Sequence, residues 1–395
     1  MMCYYNKKDD SMRKLFSRMD KPLLLVIITF FIFGLVMVLS ASSMESYMRY
    51  GFGPYHYFYR QAIFMLLGSI LFFIVIRIPI KTYKNLSFLM VIGIMGVLGA
   101  LMVWGQMSHN AQSWFKLGGI SIQPSEFAKI IVILFLASYY GKHKDDLDKV
   151  KTLIIPIMMV IVIFGLVLLQ PDLGTALIIA GICFLMFFSV PMPKKLIRKF
   201  SILVVLFMVL GIATYFVTGG KILKDYQKAR FNFFDPCERY QEESGYQLCN
   251  SFIAFKNGGL VGQGIGNSTQ KYLYLPESYT DFIFPIVVEE WGAWVGMILV
   301  VLYLFVIYRL YKIARGANDL QGSLIAYGVC VYIFLHVVIN LMGVMGLAPL
   351  TGVPLPFLSY GGSYVISLIG ALALAERVAI ESNIKNMKKR KNKKT

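Results

Sequence analysis

Asp281 stands in the stretch Leu275-Pro-Glu-Ser-Tyr-Thr-Asp281-Phe-Ile-Phe-Pro285, where Phe282, Ile283 and Phe284 follow the acid at once. A carboxylate in that company loses part of its hydration, which raises its pKa and suits it to accept a proton near neutrality. The competing role is an N-cap for the apolar run that follows, and the residues alone lean that way. Glu126 and Lys129 lie three apart behind Pro124, so they share a helix face near a helix start. They suit an intramembrane ion pair and a charged-substrate contact equally well. Glu289 and Glu290 are adjacent, so they cannot both point squarely into one cavity, and one of them fits a helix-dipole role. His336 and Asn340 are four apart without a matching Cys, His or carboxylate pattern. They read as an interhelical hydrogen-bond pair and not as metal ligands.

Lys221, Lys224, Lys228 and Arg230 interleave with Ile222, Leu223 and Tyr226, as in a surface-lying amphipathic helix or a phosphate clamp. The run Gly258-Gly-Leu-Val-Gly262-Gln-Gly264-Ile-Gly266 imitates a nucleotide fingerprint, but its setting is wrong; Gly258 as a helix C-cap fits better.

The elements that must carry these residues are apolar. Of 395 residues, 57% are hydrophobic and only 15% charged, against about 25% charged in soluble domains. This composition excludes a disordered chain, a disulfide scaffold and a nucleic-acid binder. It predicts an all-α polytopic membrane protein. Ten runs are long enough to cross a bilayer: 22–41, 60–76, 86–103, 124–140, 153–169, 174–190, 196–217, 285–308, 321–345 and 362–378. Fourteen Lys and Arg fall on the even-numbered short loops, whereas the odd ones hold only Arg49 and Lys116. By the positive-inside rule both termini are cytoplasmic. The expected organisation is a cytoplasmic segment 1–21, a membrane domain 22–378 and a basic tail 379–395 that touches anionic membrane lipid. Within the domain, 218–284 forms one long extracytoplasmic loop. The segment 346–361, rich in Pro and Gly yet apolar, is expected to be a re-entrant loop.

The unusual segments all fall on the outer face, and the basic loops opposite carry no phosphate-binding motif. An enzyme working there needs a substrate that arrives activated, and a lipid-linked diphosphate is the natural class. Cys237 and Cys249 share the outer loop, but spacing alone does not establish a disulfide.

These stretches together resemble the SEDS family (shape, elongation, division and sporulation). The resemblance is carried by Ala111-Gln-Ser-Trp114-Phe-Lys116, Gln123-Pro-Ser-Glu126-Phe-Ala-Lys129, Gln170-Pro-Asp172-Leu-Gly-Thr and Gly245-Tyr-Gln247. Thr280-Asp281-Phe-Ile-Phe, Glu289-Glu290 and the Pro349–Gly362 segment complete it. Gly266-Asn-Ser-Thr-Gln270-Lys271 favours the division type over the elongation type. The resemblance implies a peptidoglycan glycosyltransferase of the bacterial cytoplasmic membrane, polymerising lipid II at the outer face of the septum. Its implied partners are a class B penicillin-binding protein that supplies the transpeptidase, and other divisome proteins. Asp281 becomes the catalytic base, and Lys116, Lys129 and Arg230 candidates for the diphosphate. Trp114 packs on sugar or lipid, and Glu126, Gln247, Lys271, Glu289 and Glu290 complete the substrate-binding set. A divalent cation (Mg or Mn) is compatible with this chemistry; a nucleotide or organic cofactor is not expected. The chain departs from the family pattern at Tyr279, usually His, at Trp291, usually Leu, at Ser113, often Arg, and at Tyr364, often Ser. The rival readings are a lipid II flippase and a non-catalytic divisome scaffold.

Overall fold

A computed structural model describes residues 12–108, 111–117, 120–217 and 235–392. Arg230 and the basic stretch around it lie outside the described residues. After a short helix α1 (Met12–Arg18) come α2 (Lys21–Tyr50), α3 (His56–Val75) and α4 (Tyr83–Trp104). Three strands follow: β1 (Gln106–Ser108), β2 (Ala111–Leu117) and β3 (Ile120–Ile122). The chain continues through α5 (Pro124–Lys142), α6 (Val150–Leu169), α7 (Leu173–Ser189) and α8 (Lys194–Val217). The last five helices are α9 (Glu243–Gly258), α10 (Ile283–Trp291), α11 (Ala293–Arg315), α12 (Leu320–Val344) and α13 (Gly362–Asn392).

A helix occupies each of the ten expected runs. Among the described residues, seven helices are long and apolar enough to cross a membrane, and α7 is a shorter apolar one. The protein is a multi-pass, all-α membrane protein. Exposed side chains such as Leu25, Ile63, Leu66, Leu89 and Val301 are the surface a bilayer would cover. Inside, α12 and α13 are buried along most of their apolar length and α5 packs against both.

The helices start where the sequence provides caps. Asp20, Asp172 and Asp319 accept the backbone N–H of Leu23, Thr175 and Gly322. One expected span is corrected: 285–308 is not continuous but breaks at Gly292 into α10 and α11. Gly292 has φ 85°, and a Cβ there would lie 2.2 Å from the Leu260 carbonyl oxygen, so only glycine fits. The break moves Glu289 and Glu290 from the start of a helix to the end of one. The helix-dipole role expected for one of them is therefore excluded, because a helix C-terminus disfavours negative charge.

The small antiparallel sheet β1-β2-β3 was not anticipated; Trp114 faces Gln106 across it, and Lys116 pairs with Ser121. A disulfide joins Cys237 to Cys249 at the N-terminal half of α9.

Candidate active site

The irregular segment between α12 and α13 organises the site. Val353, Leu355, Phe357 and Leu358 are buried in the core although the backbone there makes no helix or strand. Its polar groups are satisfied by side chains from surrounding helices, as backbone in an apolar setting must be. Gln61 of α3 donates to the Ser359 carbonyl and accepts from Gly361 N–H. Tyr303 of α11 donates to the Pro356 carbonyl at 2.5 Å. Gly34 of α2 and Gly174 of α7 let those helices press against the carbonyls of Phe357 and Thr351; a Cβ would sit 2.2 and 2.6 Å away.

From α12, Asn340 and His336 reach the same segment. Asn340 Nδ2 donates to the Val353 carbonyl at 2.8 Å and to the Asp281 carbonyl at 2.7 Å. Both partners are acceptors, so the amide orientation is fixed and Oδ1 is left without a partner among the described residues. His336 Nδ1 lies 3.1 Å from the Pro354 carbonyl, which can only accept, so Nδ1 carries the proton. Its Nε2 is then free to accept from Lys129 Nζ at 3.2 Å. Lys129 also donates to Glu126 at 2.8 Å and lies over the rings of Tyr332 and Tyr364. A continuous polar chain thus runs from Asp281 through Asn340, the 353–354 backbone and His336 to Lys129 and Glu126. The interhelical pairing expected of His336 and Asn340 is corrected: both bind the 353–354 backbone, and His336 alone also reaches another helix, at Lys129 of α5.

Asp281 itself is half-buried, crowded by protein yet open toward a narrow cleft of about 10 Å³ shared with Asn340, Thr351 and Gly352. Gly352 adopts φ 67°, which favours glycine, and a Cβ there would make only an ordinary contact with Asp281 Oδ2 at 3.8 Å. Burial, reinforced by the negative charge of Glu277, pushes the Asp281 carboxyl up to about 7. The Thr280 hydroxyl works the other way, lying 3.1 Å from Asp281 Oδ1 and 2.8 Å from Glu277 Oε2. Asp281 is not the side-chain cap of α10: that helix is preceded by Phe282 and has no side-chain cap.

The remaining expected residues divide. Lys129 is fully buried, so the ion pair is the arrangement present and a substrate contact would require that pair to open. Lys271 and Glu290 form a second buried pair at 2.8 Å, joined by Ser40. Glu289 accepts from Asn257, Ser268, Thr269 and the Gln270 N–H, and so holds the Gly266–Gln270 turn. Gln247 and Trp114 are half-buried, on α9 and β2. Lys116 is in β2, and Arg230 lies outside the described residues. Three more motif residues connect to this region: Gln123 donates to Asp172, Ser113 donates to the Gln170 carbonyl, and Ser363 accepts from Gln123 N–H. Sequence reasoning missed Glu277, Gln61 and Gly34. Glu277 alone carried a signal, as a second carboxylate one turn before Asp281.

With this geometry in view, comparison with known proteins is decisive. The family described as cell cycle protein (FtsW/RodA/SpoVE) matches residues 20–384. The chain belongs to that family. A Bacillus subtilis relative, "Probable peptidoglycan glycosyltransferase FtsW", is 38% identical over 96% of this chain and 95% of its own length. A Coxiella burnetii protein of the same name is 37% identical over 88% of this chain and 93% of its own. A chain from a structure described as "Structural coordination of polymerization and crosslinking by a peptidoglycan synthase complex" superposes with TM-score 0.73 at 25% identity. It covers 92% of this chain and 98% of that one. The SEDS resemblance and its FtsW type are thereby established.

Proposed function

We propose that this FtsW-type chain is a peptidoglycan glycosyltransferase that polymerises lipid II, with Asp281 as general base. The observation that carries the role of Asp281 is its position: a half-buried carboxylate with a raised pKa, at a cleft walled by the 346–361 segment. The Asp281 carboxylate takes the proton of the acceptor sugar hydroxyl, and that oxygen attacks the anomeric carbon of the donor. The bond from that carbon to the diphosphate oxygen breaks, and the lipid diphosphate leaves with the bonding pair. Asn340 Oδ1, without a partner beside Asp281, can accept a substrate hydroxyl.

In this reading all ten helical runs cross the bilayer, both termini are cytoplasmic and the site faces outward at the septum. Lys116 and Arg230 are the cations proposed for the diphosphate. A crosslinking transpeptidase of the class B penicillin-binding type is the proposed partner, supported by the relative solved in a complex that couples polymerisation to crosslinking. For the divalent cation, the described residues contain no cluster of three or more His, Cys, Asp or Glu able to hold one, so no step is drawn through it.

The test is glycan polymerisation from lipid II by the purified protein with its transpeptidase, comparing wild type with Asp281→Asn. Polymer from wild type and none from a folded, partner-binding variant is expected. Polymer from both would remove Asp281 from the chemistry.

A further inference from the structure

The glycine-rich run Gly258–Gly266 carries Val261, the most exposed large apolar side chain among the described residues, at 80%. Leu260 and Ile265 beside it are also exposed, and no charged residue occurs from Asn257 to Gln270. Glycines press this turn onto the junction of α10 and α11: a Cβ at Gly258 or Gly262 would lie 2.1 or 2.4 Å from the carbonyl oxygen of Val288 or Glu290. The backbone of the turn is paired there. Gly262 N–H donates to the Gly258 carbonyl, and Gln263 and Gly264 N–H donate to the Glu289 and Glu290 carbonyls. The Gly259 and Leu260 carbonyls accept from Ala293 and Trp294 N–H. Irregular backbone can lie at membrane depth only when its polar groups are satisfied by protein in this way. Gln263, the polar side chain among these residues, turns its amide back to the Asn257 carbonyl.

The depth of the turn follows from α11. The exposed Trp294, Met297, Ile298, Val301, Leu304 and Tyr308 occupy one face of that helix, and the exposed Lys312 ends it. From Trp294 to Lys312 the helix rises about 27 Å, close to the ~30 Å of a hydrocarbon core. With Lys312 at one polar boundary, Trp294 stands at the other, where tryptophan is enriched. Leu260, whose carbonyl meets the Trp294 N–H, is at that same boundary.

We propose that the 259–265 turn is a membrane anchor, with Leu260, Val261 and Ile265 seated in the edge of the lipid leaflet opposite the Lys312 end of α11. The turn is uncharged, so it takes lipid of any headgroup. Its bonds to the end of α10 fix the depth of the helix that begins two residues after Asp281. The anchor is separate from the glycosyl-transfer reading and holds whether or not that reading stands.

The experiment is electron paramagnetic resonance of the full chain in phosphatidylcholine nanodiscs, with a nitroxide on Val261→Cys. Cys3, Cys183 and Cys330 are replaced by alanine, and the Cys237–Cys249 disulfide is kept. Collisions with oxygen, which concentrates in lipid, are compared with those of a water-soluble nickel chelate. Met297→Cys, on the lipid-facing side of α11, and Glu238→Cys, an exposed charged position, are the two references. The oxygen-to-nickel ratio at Val261 should be shifted from that at Glu238 toward that at Met297. A ratio at Val261 equal to that at Glu238 would place the turn in water and overturn the proposal. Shielding from both reagents, with or without added transpeptidase, would mean a protein partner and overturn it as well.

Discussion

At the scale of single residues, the carboxylate of Asp281 is useful because of what surrounds it. Only its ionised form can take a proton. With a carboxyl near 7, polymerisation should fall about tenfold for each pH unit below that value and level off above it. The negative charge of Glu277 contributes to the raised value, second to burial. Glu277→Gln removes that contribution, lowers the pKa of Asp281 and should move the acidic limb of the rate profile to lower pH. A pH series of initial rates on both proteins decides this, and an unmoved limb would show that Glu277 does not act on Asp281. From its three apolar neighbours alone Asp281 leans toward a helix cap, and the role of base comes from the family resemblance. Its true surroundings were not legible, because Asn340, Thr351 and Gly352 are remote in sequence and meet it only through the fold.

Between elements, buried polar side chains act as fasteners. Asn340 satisfies two backbone carbonyls at once, one beside the proposed base and one in the irregular segment. Asn340→Leu leaves both buried acceptors without their donor, at a cost of about 1–3 kcal/mol each. The expected outcome is a drop in kcat of roughly 100-fold through misplacement of Asp281, with a rise in KM from the lost Oδ1 acceptor; steady-state polymerisation kinetics would show it. The Lys271–Glu290 pair makes a different prediction. Lys271→Met alone strands a buried carboxylate and should destabilise by about 3–5 kcal/mol. The double variant Lys271→Met/Glu290→Leu should recover much of that loss, as read from thermal unfolding in detergent. The helices themselves were legible from apolar runs and caps. The break at Gly292 was not: the run 285–308 is apolar but for Glu289 and Glu290, and the reason for the break lies at Leu260.

For the whole molecule, the formal net charge of +18 and the basic short loops make a prediction about orientation by the positive-inside rule. In a background lacking Cys3, a membrane-impermeant maleimide applied to intact cells should label Gln263→Cys and spare Lys144→Cys. The reverse pattern would invert the topology and move Asp281 to the wrong face for lipid II polymerisation. The disulfide Cys237–Cys249 belongs to this scale as well, since it closes the approach to α9. Its removal by Cys237→Ser/Cys249→Ser should cost about 3 kcal/mol, seen as a lower melting temperature that reductant no longer shifts. The membrane class and the FtsW-type kinship were open to reading from composition and motifs. The three-stranded sheet was not, because strands this short depend on pairing with each other and leave little periodicity.

The seam at Gly292 bears on how the protein is made. Alone, α11 is long and apolar enough to enter a bilayer, whereas α10 is only nine residues long. The Glu289 and Glu290 carbonyls at the end of α10 are satisfied by Gln263 and Gly264 N–H, and Ala293 N–H donates to the Gly259 carbonyl. Those partners belong to the chain after α9, and Gly258, Gly262 and Gly292 let the backbones touch. During biogenesis α11 can therefore insert early on its own hydrophobicity, while α10 must wait for the segment after α9 to fold back and dock. Because α10 begins two residues after Asp281, the carboxylate reaches its place only at that last step. A chain halted before docking would be inserted and inactive, and an immature enzyme would not act on substrate before its assembly was finished.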